Sequence, residues 1–231
     1  MSKMTVGSIK TNVEFLSAKD AVSKIPNKAR MMVGGFGRSG IPEDLLEAMI
    51  DKTELDGLTI ISNNISEGSN LHHLFMLGRI KKAIGTYYTT SKEVVKAYRE
   101  NRIDIELLPQ GTLSEALRLG GAGIPAFYTP TSAGTELAKH KESRMFNGRE
   151  YVLEESLTAE VALIRAHKAD RAGNLIYRKS ARNFNPLMVM AADLTIVEVD
   201  EIVEMGELDP EEIVTPFIFV DVVVERGRKN D

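Results

Sequence analysis

Short runs of apolar residues alternate along this chain with stretches whose apolar positions recur every three or four residues. Residues 30–33, 58–62, 82–87, 161–165, 175–178, 194–199 and 217–224 are runs of strand type. In 103–107, Ile103, Ile105 and Leu107 alternate with Asp104 and Glu106, the period of a half-buried strand. Helical spacing predicts helices over 13–25, 42–50, 71–77, 91–99, 113–119 and 185–192; in the first, Phe15, Ala18, Ala21 and Val22 carry it. Strands alternating with helices predict an α/β fold, a mostly parallel sheet flanked by helices. Asn147-Gly148, between two short apolar runs, predicts a small antiparallel hairpin. No linker interrupts residues 1–231, so a single domain is expected, with 225–231 as a flexible charged tail.

The first strand runs into Gly34, Gly35, Gly37 and Gly40. Glycine serves where the backbone takes a positive φ or must approach something closely. Pro42 suits the first turn of the helix that follows, and Glu43 and Asp44 suit its positive end. Two further loops leave strand ends with unusual polar content: Asn63-Asn64, and Pro109-Gln110-Gly111. In one parallel sheet these three loops converge on one crevice at the carboxyl edge. They offer backbone N–H groups and neutral amides, which hydrogen-bond a carbonyl or carboxylate without reacting. Each loop taken singly also reads as an ordinary turn or cap.

Two motif matches at this turn mislead. Residues 35–40 fit G-x-G-x-x-G, but the next strand ends in Ser62-Asn63-Asn64 where a dinucleotide fingerprint needs an acid. Residues 37–41 approach the G-x-S-x-G nucleophile elbow, one residue short of placing Ser39 at its tip.

Composition narrows the picture by exclusion. The chain has 43% hydrophobic and 27% charged residues, ordinary for a globular protein, and its net charge of -4 gives no reason to expect nucleic acid or an anionic membrane. Without cysteine there is no disulfide framework, thiolate nucleophile or cysteine metal site. The first ten residues lack the apolar core of a signal peptide, and no apolar run approaches a membrane span; a cytoplasmic protein is expected.

Catalytic groups are scarce. His72 and His73 adjoin on a helix and make a poor metal pair, His140 lies in a charged run, and His167 follows the strand at 161–165. No H-E-x-x-H or other metal motif is present. Asp193, Glu198, Asp200, Glu201, Glu204 and Glu207 read as strand-end and helix-face charges. Arg178, Lys179 and Arg182 suit a phosphate or carboxylate, or equally an exposed salt-bridged cluster. The chain thus holds the receptive half of a site, and an enzyme built this way needs its reactive group from elsewhere.

Residues 31–43, with Val33-Gly34-Gly35-Phe36-Gly37 and Gly40-Ile41-Pro42-Glu43, resemble the signature of family I coenzyme A transferases, A (alpha) subunit. The likeness continues in order through Ser62-Asn63-Asn64, Leu108-Pro109-Gln110-Gly111-Thr112, residues 120–129, Phe146-Asn147-Gly148-Arg149, residues 173–186 and Gly206-Glu207-Leu208-Asp209-Pro210. It is strongest toward A subunits that act on succinyl-CoA and a 3-oxoacid, with the 3-oxoadipate enzymes also similar. The resemblance implies ping-pong acyl transfer through a glutamate of a partner B subunit, set in a Ser-Glu-Asn-Gly motif that this chain lacks. It implies a hetero-oligomer of A and B chains, coenzyme A as substrate, a short-chain carboxylate acceptor such as acetoacetate, and no bound cofactor or metal. It places Asn63, Asn64 and Gln110 on the acyl pocket, with Gly34, Gly35 and Gly111 beside them. Residues 65–68 and 86–90 depart from the family pattern next to that pocket, and Lys28 and Phe217 depart elsewhere, so the acyl group stays open: 3-oxoadipate, acetate and butyrate remain. Two other classes also remain, a non-catalytic carboxylate-binding protein and, on the G-x-G-x-x-G match alone, a nucleotide-dependent oxidoreductase.

Overall fold

A computed structural model describes residues 13–227 of the chain. Met1–Lys10, read above for a leader, lie outside the described residues. The helix expected over 13–25 divides. Its first residues form a short edge strand, β1 (Glu14–Phe15), and α1 (Ala18–Ser23) starts only after Ser17 caps it by accepting the Asp20 N–H. Next come β2 (Arg30–Val33), α2 (Glu43–Asp51), β3 (Leu58–Ile61), α3 (Asn70–Met76), β4 (Ile80–Gly85), α4 (Lys92–Arg99), β5 (Asp104–Leu107) and α5 (Gln110–Gly121). The second half holds β6 (Ala126–Thr129), β7 (Ser143–Phe146), β8 (Arg149–Glu155), β9 (Ala159–Asp170), β10 (Leu175–Ile176), α6 (Asn185–Met188), β11 (Ala192–Val203) and β12 (Val222–Glu225).

The main sheet runs β1-β12-β11-β9-β2-β3-β4-β5, every neighbouring pair parallel, with β10 antiparallel on β9. Successive strand residues point to opposite faces, so both faces of a parallel sheet need cover. Met31, Val33, Ile60, Leu163 and Ile196 pack with α1 to α4. Met32, Ile61, Ala162, Ile164 and Val197 pack with α5 and α6. The chain therefore winds both ways from β2: β3, β4 and β5 lie on one side of it, and β9, β11 and β12 on the other.

The expected hairpin is present, with Asn147 and Gly148 at φ 50 and 76°, the left-handed pair that a two-residue turn requires. It is larger than predicted. β6 joins β8 on its other edge, making a three-stranded antiparallel sheet. β9 and β11 each run to 12 residues, about twice the predicted length. Their far halves are laced by ion pairs, Arg165–Asp200 (2.7 Å), Lys168–Glu201 (2.6 Å) and Arg171–Glu204 (3.4 Å), so charge marks the extension where an apolar pattern stops. Residues 217–224 are not one strand: Phe217–Phe219 make a short 3-10 turn after Pro216, and β12 begins at Val222. The charged end also starts later than expected. Glu225 closes β12, and the Arg226 N–H donates to Val199 O (2.9 Å); residues 228–231 lie outside the described residues. No helix among the described residues is long and apolar enough to cross a membrane.

Candidate functional site

The loops after β2, β3, β4 and β5 meet at the carboxyl edge of the sheet. Gly34 prolongs β2 by donating its N–H to Leu163 O (2.9 Å). Phe36 and Ser39 then exchange two backbone hydrogen bonds, both 3.0 Å, folding residues 36–39 into a tight projecting loop. Two asparagines hold this turn, Asn183 just before α6 and Asn185 at its first position. Asn183 Oδ1 accepts the Gly35 N–H (3.2 Å), and Asn183 Nδ2 donates to Ser39 O (3.0 Å). Asn185, fully buried, donates to Gly40 O (3.2 Å) and accepts the Arg165 N–H (3.1 Å). A Cβ at Gly34 would overlap Asn185 Oδ1, and Gly35 sits at φ +124°. The glycines let the loop lie against its two amide supports.

Asn64 locks the turn to the loop after β3. Its Oδ1 accepts the Gly37 N–H (2.9 Å) and the Asn63 Nδ2–H (2.8 Å), and its Nδ2 donates to Ser66 Oγ (2.5 Å). Thr86, from the loop after β4, donates its hydroxyl to Asn63 Oδ1 (2.9 Å). These bonds use one of the two amide hydrogens of Asn63. Gln110 is the first residue of α5, exposed, with the positive end of that helix beside it.

Asn63, Asn64 and Gln110 come together on a cleft of about 410 Å³ whose remaining walls include Phe36, Tyr87 and Leu108. Gly34 and Gly35 lie buried behind this wall, and Gly111 is exposed on α5; none of the three lines the cleft. From the turn, Phe36 and Gly37 face it instead. Ser66, Thr86, Tyr87 and Thr90, from the two segments expected beside the pocket, line it as well. Among the described residues no charged side chain lines the cleft. It can hold a carbonyl or carboxylate with fixed neutral donors, and it has no base or nucleophilic carboxylate of its own.

A second cleft of about 280 Å³ opens on the other flank of the turn, between Ser39, the middle of β9 and residues 177–181. Among the described residues it is lined by Arg165, His167, Arg178 and Lys179, with Asp200 the one acid; Arg182 does not line it. His167 lies within β9 rather than after it, with Nδ1 3.0 Å from Asp200 Oδ2. Burial pushes the Asp200 carboxyl up, but hydrogen bonds from His167, Arg165 and Arg226 outweigh it and hold it below its usual range.

Glu198 is not the strand-end charge its sequence context suggested. It lies mid-β11, fully buried, and Oε2 accepts the Asp44 N–H (2.8 Å) and the Leu45 N–H (3.1 Å) in the first turn of α2. Arg226 Nε stands 3.0 Å from Oε1, within ion-pair range but not aligned as a hydrogen bond. Burial, reinforced by the charge of Asp44, pushes the Glu198 carboxyl up to about 7. Among the described residues no group of three or more His, Cys, Asp or Glu could hold a metal ion.

The sequence model of coenzyme A transferases matches residues 15–226. The chain belongs to this family. It is 48% identical to the A subunit of a 3-oxoadipate CoA-transferase from Pseudomonas putida over 216 residues, 92% of this chain and 93% of that one. It is 48% identical over 212 residues to the A subunit of a succinyl-CoA:3-ketoacid coenzyme A transferase from Xanthomonas campestris, covering 91% and 87%. The fold is shared with an acyl-CoA transferase of Escherichia coli O157:H7, solved as a thioester complex with CoA, at TM-score 0.80 and 23% identity. That match covers 93% of this chain and 47% of the other, so the chain spans about half of that protein. In this CoA-transferase chain the neutral cleft and the cationic cleft share one glycine turn, and Glu198 anchors the helix that leaves it.

Proposed function

We propose that this chain is the A subunit of a two-chain CoA-transferase that moves CoA between an acyl-CoA and a short-chain carboxylate. The acceptor is a 3-oxoacid of the acetoacetate type, and the acyl donor is succinyl- or acetyl-CoA. One observation carries the reading: the cleft built by Asn63, Asn64 and Gln110 has neutral donors and no carboxylate. Acyl transfer of this kind needs a carboxylate nucleophile, so a glutamate of a B-type partner enters from outside the chain. That carboxylate attacks the thioester carbon, CoA leaves as thiolate, and a mixed anhydride forms. The thiolate then attacks the glutamyl carbonyl, releasing the first acid and leaving an enzyme thioester; the acceptor acid runs the sequence backwards. Negative charge develops on the thioester oxygen during attack, and the second amide hydrogen of Asn63 and the Gln110 amide are suited to receive it.

The relatives named above favour 3-oxoacids and 3-oxoadipate about equally by identity, which makes 3-oxoadipate the second reading. The acyl-binding role of Asn63, Asn64 and Gln110, and a cytoplasmic location, belong to the same proposal. The test is a tagged pull-down of the full chain from its host, with mass spectrometry and a CoA-transfer assay on the eluate against a panel of acceptor acids. A second chain bearing a nucleophilic glutamate, with activity requiring both chains, supports the reading. A chain that elutes alone and inactive overturns it in favour of a carboxylate-binding protein.

A further inference from the structure

The cationic cleft beside Ser39 is not used by the chemistry above. Elsewhere on this acidic chain about half of the described lysines and arginines have an acid in reach, among them Lys24 with Glu14, Lys82 with Glu106, Arg102 with Glu100, Arg118 with Glu115 and Lys168 with Glu201. In this cleft the balance reverses. Arg165 and His167 share the single carboxylate of Asp200, at 2.7 and 3.0 Å, and Arg226 also reaches it at 3.1 Å. Arg178 and Lys179 line the same cleft, and their side chains have no hydrogen-bond or ion-pair partner among the described residues. Leaving His167 out of the count, the lining cations Arg165, Arg178 and Lys179 against Asp200 leave two uncompensated positive charges, and Arg226 also reaches Asp200 from outside the lining. Glu198, the next acid inward, is buried against α2 and faces Arg226, not the cleft.

From this arrangement we infer that the cleft lined by Arg165, Arg178 and Lys179 is a binding subsite for phosphate groups, occupied by the phosphate-bearing end of acyl-CoA. Three features point to a small phosphate ligand rather than to acids on a partner's surface. The site is concave, with a volume of about 280 Å³. Arginine forks and a lysine ammonium, with the Ser180 hydroxyl beside them, are the groups that recognise phosphate oxygens. And the cleft adjoins the neutral one across a single turn, Ser39 facing one and Gly37 the other. A substrate with a thioester at one end and phosphates at the other suits that pair. The inference rests on the CoA-transferase reading for the identity of the ligand, though not for the anion site itself.

The test compares wild-type A·B complex with the double variant Arg178→Gln/Lys179→Gln, both exposed positions. Acyl-CoA and the matching acyl-pantetheine, which lacks the phosphates, serve as donors. The expected result is a rise of about tenfold in KM for acyl-CoA, the loss of one or two charge-assisted contacts, with kcat and the acyl-pantetheine constants unchanged. Titration of the full chain with inorganic pyrophosphate supplies a readout independent of activity. Wild type should bind it with strong salt dependence, and the double variant weakly or not at all. Equal losses on both donors, or dissociation of the variant complex in sedimentation, would make the patch a partner-docking surface and overturn the inference. So would unchanged KM with unchanged pyrophosphate binding. If no partner and no transfer activity are found, the functional reading fails separately, and the pyrophosphate titration still decides the cleft.

Discussion

Glu198 should make the stability of this protein depend on pH in a direction opposite to that of an ordinary paired carboxylate. Its carboxyl is fully buried, accepts two backbone N–H groups of α2, and lies near the like charge of Asp44 and the opposite charge of Arg226. Burial dominates, and its pKa rises from 4.5 to about 7. Between those values the folded protein binds a proton at this site that the unfolded chain has released. Stability therefore falls as pH rises from 4.5 to 7; the site costs nothing below that window and its full penalty above it. The whole span corresponds to roughly 3 kcal/mol, of which about 2.5 kcal/mol falls between pH 5 and pH 8. Glu198→Gln keeps the shape, retains an oxygen for the Asp44 and Leu45 N–H groups, and does not titrate. Urea unfolding of both proteins at pH 5, 6, 7 and 8 isolates the site, because the remaining groups titrate in both. The variant should gain on wild type by about 2.5 kcal/mol from pH 5 to pH 8, most of it below pH 7. A difference that stays constant with pH would mean the carboxylate is ionised throughout and Arg226 outweighs burial. A difference of opposite slope would refute the account outright.

Three further outcomes follow from the site and its supports. Gly34→Ala drives a methyl into the Asn185 amide and should cost about 1–3 kcal/mol in urea unfolding; adding Asn185→Ala makes room, so the two losses should fall short of additive, and full additivity would refute the contact. Asn63→Ala in the A·B complex should lower kcat about a hundredfold with little change in KM, whereas a rise in KM alone would reduce Asn63 to a ground-state contact. Gly148→Val forces a β-branched residue into φ +76° at the tip of β7–β8, so unfolding should lose about 1–2 kcal/mol while transfer activity stays at the wild-type level, because Gly148 lines neither cleft.

Much of the architecture was legible from neighbouring residues. The alternation of strands and helices, the Asn147-Gly148 turn and the glycine turn after β2 are local features, set by spacings of two to four residues and by backbone angles. The convergence of the loops at Asn63 and Gln110 was also legible, because parallel strands put their carboxyl ends on one edge. The boundaries that failed were those decided by distant pairing. Glu14 and Phe15 carry a helical pattern but extend because Val222 and Val223 offer an edge. β9 and β11 outrun their apolar runs because Lys168 finds Glu201 across the register.

What belonged to the tertiary structure alone is the state of individual groups. Gly34 must be glycine because Asn185, 151 positions later, lies against it, and no local pattern records that approach. Gly34 and Gly35 fall behind the cleft wall while Phe36 and Gly37 face it, a consequence of how two asparagines seat the turn. Glu198 looks like any other strand acid in the sequence, and only the return of α2 and of Arg226 over β11 buries it. Periodicity reports which face of its own element a residue occupies. Burial and charge state depend on what the rest of the chain brings to that face.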